Sequence, residues 1–204
     1  MTLLQPAIAL VGLTLAGTAL ALPTTADLQR AFDQLDHNRD QLIGQVEWDQ
    51  HAFALFRAAD TDRDNRLSPA EIEAGPGHSE TVNKFDLNRD GLLELDEFID
   101  LRRKLFVTAD INGDDRVNRV EFELYQLIAE VGWEDADGNG RLNFTELRAS
   151  LAKVFQLADT DHDGVLTEAE ASFLSSISYD AATAKGDLDA ARFYAYYRWH
   201  LTGD

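Results

Sequence analysis

The stretch Asp159–Glu170 reads DTDHDGVLTEAE and decides the fold. Numbered from 1 to 12, it has aspartate at positions 1, 3 and 5, glycine at position 6, leucine at position 8 and glutamate at position 12. Glycine accepts a positive φ, so it favours a sharp turn at position 6. The leucine at position 8 is apolar, and we expect it to point into the core and fix the loop to the fold.

Five further segments repeat this pattern at intervals of 24 to 26 residues. Each has aspartate at position 1, aspartate or asparagine at positions 3 and 5, an aliphatic residue at position 8 and glutamate at position 12. Self-similarity at a fixed period indicates a repeat architecture. In chain order the segments, called loops 1 to 6, are Asp36–Glu47, Asp60–Glu71, Asp86–Glu97, Asp110–Glu121, Asp135–Glu146 and Asp159–Glu170.

These residues resemble the loops of EF-hand calcium-binding proteins, and the resemblance covers about residues 28–174. It implies an all-α fold, in which short helices are joined by calcium loops, and it implies Ca²⁺ as the cofactor. The close spacing behind an apolar N-terminus is similar to that of bacterial secreted or periplasmic EF-hand repeat proteins. Six copies in register make a chance match untenable.

Calcium takes six to eight oxygen ligands at about 2.3–2.6 Å. The resemblance implies side-chain ligands at positions 1, 3 and 5, a backbone carbonyl at position 7 and a bidentate glutamate at position 12. Glu94 adds a carboxylate at position 9 of loop 3. The expected ligands are Asp36, Asn38, Asp40, Leu42, Glu47, Asp60, Asp62, Asp64, Arg66, Glu71, Asp86, Asn88, Asp90, Leu92, Glu94, Glu97, Asp110, Asn112, Asp114, Arg116, Glu121, Asp135, Asp137, Asn139, Arg141, Glu146, Asp159, Asp161, Asp163, Val165 and Glu170.

Position 6 ranks the loops, because it requires a left-handed backbone. Glycine occupies it in loops 3, 5 and 6, whereas loops 2 and 4 have asparagine and aspartate, the next most tolerant residues. Loop 1 has Gln41 there, the poorest fit. We therefore expect loops 3, 5 and 6 to bind calcium best and loop 1 to bind it least well.

Only 12 to 14 residues separate successive loops, too few for two helices and a linker. We predict that one amphipathic helix often leaves one loop and enters the next. Loops at opposite ends of such a helix cannot easily pair, so loop n pairs with loop n+2 or the helices bend. The predicted single helices are Trp48–Ala59, Phe98–Ala109, Phe122–Glu134 and Leu147–Ala158.

Helix-start signals fall where second helices should begin. Ser68–Glu71 and Thr167–Glu170 have the pattern of capping boxes. Asn118 and Asn143 are good N-caps.

One interval departs from the pattern, since it contains Gly75-Pro76-Gly77, which must break a helix. Two organisations stay open. Either a hinge separates residues 22–74, with loops 1 and 2, from residues 78–204, or a tight turn lies within one continuous domain, 22–204. The second unit would hold loops 3 to 6 and a degenerate C-terminal repeat.

That degenerate repeat, Ala181–Arg192, keeps glycine at position 6 and leucine at position 8 but has no carboxylate at positions 1, 3, 5 or 12. We expect no calcium there, but a structural role as a partner of loop 6 or a cap on the array. The tail beyond it is rich in aromatic residues. Phe193, Tyr196, Tyr197 and His200 share a helical face that either packs into the core or contacts a partner.

Residues 1–26 carry no charged side chain, and Ala19-Leu20-Ala21 fits the small-residue rule for signal cleavage. We expect residues 1–21 to be a signal peptide cut after Ala21, and the protein to be secreted or periplasmic. The alternative is an uncleaved N-terminal membrane anchor. The chain has no cysteine, so a disulfide framework is excluded.

The formal net charge of −19 argues against nucleic-acid binding, which needs a basic surface. The 21 carboxylates at ligand positions, among 37 acidic residues, account for most of the acidity. No nucleophile elbow, P-loop or zinc-binding helix motif occurs, so we expect a non-enzymatic protein.

We favour a buffer or a calcium-stabilised module, because the single methionine is Met1 and a methionine-rich target groove is therefore absent. The alternative is a calcium-dependent interaction, adhesion or sensor protein that binds an unknown partner through a helix face or the aromatic tail. We expect no stable membrane insertion after signal cleavage.

Overall fold

The computed structural model describes residues 22–74, 86–132 and 136–203. The predicted signal peptide, the Gly75-Pro76-Gly77 break and the expected ligand Asp135 lie outside these residues. The expectation of an all-α EF-hand array is confirmed, since short strands occur only within the loops. The elements are α1 (Thr25–Leu35), β1 (Leu42–Gly44), α2 (Gln45–Ala59), β2 (Arg66–Leu67), α3 (Pro69–Ala74), β3 (Leu93–Glu94), α4 (Leu95–Ala109), β4 (Arg116–Asn118), α5 (Arg119–Val131), α6 (Phe144–Ala158), α7 (Ser176–Thr183) and α8 (Ala190–Thr202).

Single helices connect successive loops, as the short intervals predict. Helix α2 runs from loop 1 to loop 2, α4 from loop 3 to loop 4, and α6 from loop 5 to loop 6. Helix α5 leaves loop 4 and ends at Val131, before the predicted end at Glu134, because Gly132 takes a φ of 71°.

The caps explain why these helices begin where they do. The side chains of Asn118 and Asn143 accept hydrogen bonds from the first-turn amides of α5 and α6, as predicted. Thr167 also forms its capping box with Glu170. The segment that follows is nevertheless a series of turns, so the predicted helix start after loop 6 is wrong.

The loops pair through two small antiparallel sheets. Strand β1 of loop 1 pairs with β4 of loop 4, and β2 of loop 2 pairs with β3 of loop 3. Loop 6 instead meets the degenerate repeat, where Val165 bridges Asp189. Of the two alternatives left open, pairing of loop n with loop n+2 is therefore not the one that these loops adopt. A shared helix of 15 residues holds its two loops about 22 Å apart, which prevents them from pairing with each other.

A first core lies under loops 1 to 4. The position-8 residues of these loops are fully buried, and Trp48 packs edge-on against Phe106 and Tyr125 with ring centroids 5.7 and 5.6 Å apart. Its indole N–H donates to the carbonyl of Arg102 at 3.1 Å, which links α2 to α4. This core joins elements from both sides of residues 75–77.

A second core lies under loops 5 and 6 and the degenerate repeat. Helix α5 separates the two cores, with Phe122, Tyr125 and Ala129 facing the first and Leu124 and Leu127 facing the second. These two sets lie on different faces of a 3.6-residue helix, which explains why α5 is buried nearly all round.

The aromatic tail forms α8, which packs on the second core. Phe193 and Tyr197 are fully buried, and the Tyr197 hydroxyl donates to Glu123 of α5 at 2.5 Å. Trp199, however, is 56% exposed. On the predicted face, Phe193 and Tyr197 thus pack into the core and Tyr196 is half-buried, whereas His200 is exposed. Trp199 does not belong to that face.

Contacts within the described residues cross residues 75–77, and the choice between one domain, 22–204, and a division there stays a prediction. Loops 2 and 3, which the division would separate, share a sheet. Helix α5 contributes buried residues to both the first and the second core. In the part of the chain that the structure describes, no helix has the length and apolar character needed to cross a membrane.

Candidate metal-binding site

Each loop is a cradle in which carboxylates accept hydrogen bonds from the loop backbone. In loop 2, Asp60 accepts from the amides of Asp64 at 3.2 Å and Asn65 at 3.1 Å. Asp64 then accepts from the amide of Arg66 at 2.8 Å, a contact that recurs between positions 5 and 7 in all six loops. These hydrogen bonds fix the side chains of positions 1 and 5 to the loop backbone, at the places where the EF-hand pattern has its ligands.

Two residues of every loop adopt a left-handed backbone. Position 6 does so as predicted, including Gln41 at a φ of 67° and Asn65 at 64°. Position 4 does so as well, with a φ between 60° and 76°, which our sequence argument missed. The glycines at position 4 of loops 4 and 5 were the available signal. The position-4 residues are Arg39, Arg63, Arg89, Gly113, Gly138 and His162.

Replacing Gln41 by glycine is expected to stabilise the protein. A side chain in the left-handed region costs about 1 kcal/mol, and glycine removes most of that cost. Denaturant unfolding of Gln41→Gly should show a gain of about 0.5–1 kcal/mol in the free energy of unfolding. The matched control is Gln45→Gly at the first helical residue of α2, which should lose stability. Equal losses in both variants would contradict the strain at position 6.

The carboxylates converge most closely in loops 2 and 6. Oxygens of Asp60, Asp62 and Glu71 lie within 4.8 Å of one another. In loop 6, oxygens of Asp159, Asp161 and Glu170 meet the same limit. Two ligands about 2.4 Å from one ion are at most about 4.8 Å apart, so each trio can hold one calcium ion.

A buried oxygen in loop 6 supports this fit. Asp159 uses one carboxylate oxygen to accept from the amide of Gly164 at 3.1 Å. No hydrogen-bond donor among the described residues reaches its other oxygen, which is buried. A buried carboxylate oxygen without a donor is costly, and a hard cation compensates for it.

Hydroxyl groups prepare the position-12 glutamates of the same two loops. The backbone and hydroxyl of Ser68, and then those of Thr61, donate to Glu71 and lower its pKa to about 2. Thr167 and Thr160 act in the same way on Glu170 and lower its pKa to about 2. Both glutamates are therefore ionised across the physiological pH range, as a calcium ligand must be.

We did not predict the threonines at position 2, Thr61 and Thr160. The signal for them was the DTD triplet, which only loops 2 and 6 share.

The other loops use a neutral amide or a buried glutamate. Asparagine occupies position 3 in loops 1, 3 and 4, so an amide oxygen replaces one carboxylate there. The position-12 glutamates Glu47, Glu97, Glu121 and Glu146 are all buried. Burial raises the pKa of Glu121 to about 7, and the nearby Asp114 and Asp110 add to this against the hydrogen bonds from Asn118 and Asn112. A divalent cation favours the ionised form of such a group.

Loop 5 is the least completely described. Asp137 and Asn139 accept from backbone amides of the loop, and Glu146 accepts from the amide of Ala136 at 2.8 Å. Asp135 lies outside the described residues, so its expected contribution stays a prediction.

Arginines at position 7 connect paired loops. Arg66 of loop 2 lies 3.3 Å from Glu94 of loop 3, and Arg116 of loop 4 lies 3.9 Å from Asp40 of loop 1. Glu94 also accepts from the amide nitrogen of Asn88 at 3.2 Å, which keeps it beside position 3 of its own loop. Exposed ion pairs of this kind contribute little to the free energy of folding. We therefore infer that these two pairs align the paired loops rather than stabilise them.

Comparisons with known proteins agree with this geometry. A protein family described as "EF hand" matches residues 54–74, 81–101 and 151–170, which contain most or all of loops 2, 3 and 6. Loops 1, 4 and 5 lie outside those matches.

Similar proteins were found in three organisms. "Probable calcium-binding protein CML27" of Arabidopsis thaliana is 29% identical over 160 residues, covering 66% of this chain and 86% of that protein. "Probable calcium-binding protein CML16" of Oryza sativa subsp. japonica is 26% identical, covering 67% of this chain and 82% of that protein. "Troponin C, isoallergen Bla g 6.0301" of Blattella germanica is 28% identical, covering 50% of this chain and 60% of that protein. The chain therefore contains EF-hand motifs, is similar to proteins named as calcium-binding, and has Ca²⁺ as its cofactor.

Proposed function

We propose that this chain is a non-enzymatic protein that binds calcium at up to six loops and acts as a buffer or as a calcium-stabilised module. The observation that carries the proposal is the pair of carboxylate trios in loops 2 and 6, set in a backbone cradle that the other loops share. A bound Ca²⁺ ion would supply the positive charge that compensates these carboxylates. The protein's own residues position the ligands, keep Glu71 and Glu170 ionised and bury the position-8 anchors.

Loop-specific variants test this assignment. Glu170→Gln removes the charge of a bidentate ligand and should weaken calcium binding at loop 6 by at least about tenfold. Glu168→Gln, two residues earlier and exposed, is the matched control and should leave the affinity unchanged. Competition with a calcium chelator measures both variants. Equal affinity in Glu170→Gln and Glu168→Gln would remove loop 6 from the set of sites.

A calcium-dependent interaction protein is the second candidate, and one observation favours it. Trp199 of α8 is 56% exposed and Ile177 of α7 is 83% exposed, although both are large apolar residues. Exposed apolar area of this kind suits a partner surface. A calcium-dependent gain in hydrophobic-dye fluorescence, lost in Trp199→Ala, would favour this function over the buffer, and no calcium dependence would exclude it.

We place the protein outside the cytoplasm, with residues 1–21 removed after Ala21, on the basis of the uncharged apolar N-terminus. Intact-mass analysis of the exported protein should give a chain that begins at Leu22. A full-length chain recovered from the membrane fraction would instead support the N-terminal anchor.

A further inference from the structure

The degenerate repeat Ala181–Arg192 keeps the position-6 glycine and the position-8 leucine of a loop. Its backbone differs from that of the loops, because α7 extends to Thr183 and Ala184 is right-handed where the loops have a left-handed residue. Leu188 at position 8 is fully buried, and its carbonyl accepts from the amide of Leu166 in loop 6 at 2.9 Å. Asp189 bridges Val165 beside this contact. The repeat is therefore the structural partner of loop 6, although it has arginine where the loops have their position-12 glutamate.

The guanidinium of Arg192 turns back into the repeat. One terminal nitrogen, Nη1, donates to the carbonyl of Asp187 at 2.7 Å and to the carboxylate of Asp189 at 3.2 Å. The other, Nη2, donates to the carbonyl of Lys185 at 3.3 Å. These acceptors occupy positions 5, 7 and 9 of the repeat. In an EF-hand loop the position-7 carbonyl is a calcium ligand, and position 9 often contributes as well.

The repeat has a space for this guanidinium. Gly186 at position 6 has a φ of 132°, and a Cβ built on it would lie 2.8 Å from Nη2 of Arg192. A residue with a side chain at position 6 would therefore collide with the guanidinium. Glycine at position 6 therefore leaves the guanidinium in its observed position, since a side chain there would have to displace it.

The charge arrangement is the reverse of that in loops 1 to 6. In those loops an anionic side chain returns from position 12, and the site requires an external cation. In the repeat a cationic side chain returns from position 12 to the backbone carbonyls of positions 5 and 7 and the carboxylate of position 9. The guanidinium keeps its charge throughout the physiological pH range. Because its ion pair with Asp189 is partly exposed, the two carbonyl acceptors matter as much as the paired carboxylate.

We propose that the guanidinium of Arg192 is a built-in substitute for the calcium ion, which keeps the degenerate repeat closed without metal. Loop 6 then pairs with a partner that is already formed, whereas loops 1 and 4, and loops 2 and 3, pair metal loop with metal loop. The contacts that Arg192 makes within the repeat do not depend on calcium binding at the other loops. Their effect on loop 6 rests on the proposed function of that loop.

Hydrogen–deuterium exchange of the full chain in excess chelator tests the proposal. In the wild type, the amides of residues 186–190 and of Leu166 should stay protected without calcium. Arg192→Met keeps much of the aliphatic stem but removes every donor, and it should speed exchange there by at least about tenfold. Unchanged exchange in Arg192→Met would overturn the proposal.

Two further variants distinguish loss of the Arg192 guanidinium from unfolding of the repeat. Arg198→Met removes an exposed arginine from the same helix and should exchange like the wild type at residues 186–190. Arg192→Lys keeps a positive charge with a single ammonium donor group, and its exchange should fall between those of wild type and Arg192→Met. If the amides of Arg192→Lys exchange as fast as those of Arg192→Met, the positive charge at residue 192 does not take the place of a calcium ion.

Calcium titration of the same variants distinguishes this proposal from the proposed function. Arg192→Met should weaken the site that Glu170→Gln removes, by about threefold or more, because its sheet partner must now be ordered on binding. A wild type that binds no calcium at loop 6 would contradict the proposed function there, while the exchange result in chelator would still decide the role of Arg192. An unchanged affinity in Arg192→Met would show that the closed repeat does not support loop 6.

Discussion

Removal of calcium should expand the protein and lower its melting temperature. Of the 37 acidic residues, 21 belong to ligand positions, and the carboxylate oxygens of loops 2 and 6 crowd within 4.8 Å. Six bound Ca²⁺ ions add twelve positive charges and change the formal charge from −19 to −7. Without the ions, like charges at this spacing repel one another and oppose the compact state.

The size of the effect follows from linkage. One site held at a hundredfold excess over its dissociation constant stabilises the folded state by about 2.7 kcal/mol. For a chain of this length, 1 kcal/mol shifts the melting temperature by about 2–4 °C. Loss of several sites should therefore lower the melting temperature by on the order of 10 °C or more.

Circular dichroism melting and dynamic light scattering, with chelator and with chelator plus excess calcium, measure this prediction. The second condition is the control, and it should restore both the melting temperature and the hydrodynamic radius. If the circular dichroism, hydrodynamic radius and melting temperature do not change when chelator is added, the ions contribute nothing to the free energy of folding.

The Trp48→Ala variant should lose about 3–5 kcal/mol in the free energy of unfolding. Trp48 is fully buried, contacts Phe106 and Tyr125 through its ring, and donates to the carbonyl of Arg102. Truncation leaves a large cavity between α2, α4 and α5 in addition to the lost hydrogen bond. Denaturant unfolding in saturating calcium measures the loss without a change in metal occupancy.

Trp199→Ala is the matched control, because that indole is mostly exposed and its removal should change stability by about 0.5 kcal/mol or less. The Trp48 variant also tests the domain organisation. In one continuous domain the whole unfolding transition should shift to lower denaturant. A transition that splits, with one part unchanged, would instead support a division at residues 75–77.

The local features of the fold were predictable from the sequence, because they depend on residues close together in the chain. The buried aliphatic residue at position 8, the caps at Asn118 and Asn143, and the shared helices all follow from spacing and residue type. The turns after Thr167 were not predictable from the sequence, because a capping box favours a helix but does not guarantee one.

Loop pairing could not be predicted from the sequence, because the repeat makes all six loops look alike. Helix α5 is buried on two sides, one in each core. Loop 1 pairs with loop 4, and loop 6 pairs with the degenerate repeat. Periodicity places Leu124 and Tyr125 on different faces of one helix, but it does not say which core each face meets. The contacts of Arg192 were beyond prediction for a related reason, since they depend on how α8 returns to the repeat.

Calorimetric titration of the calcium-free chain 22–204 tests the central claim most directly, because it gives the number of sites together with their affinities. We expect at least three sites, in agreement with the family match to loops 2, 3 and 6, and up to six when loops 1, 4 and 5 contribute. Fewer than three bound Ca²⁺ ions per chain would contradict this expectation.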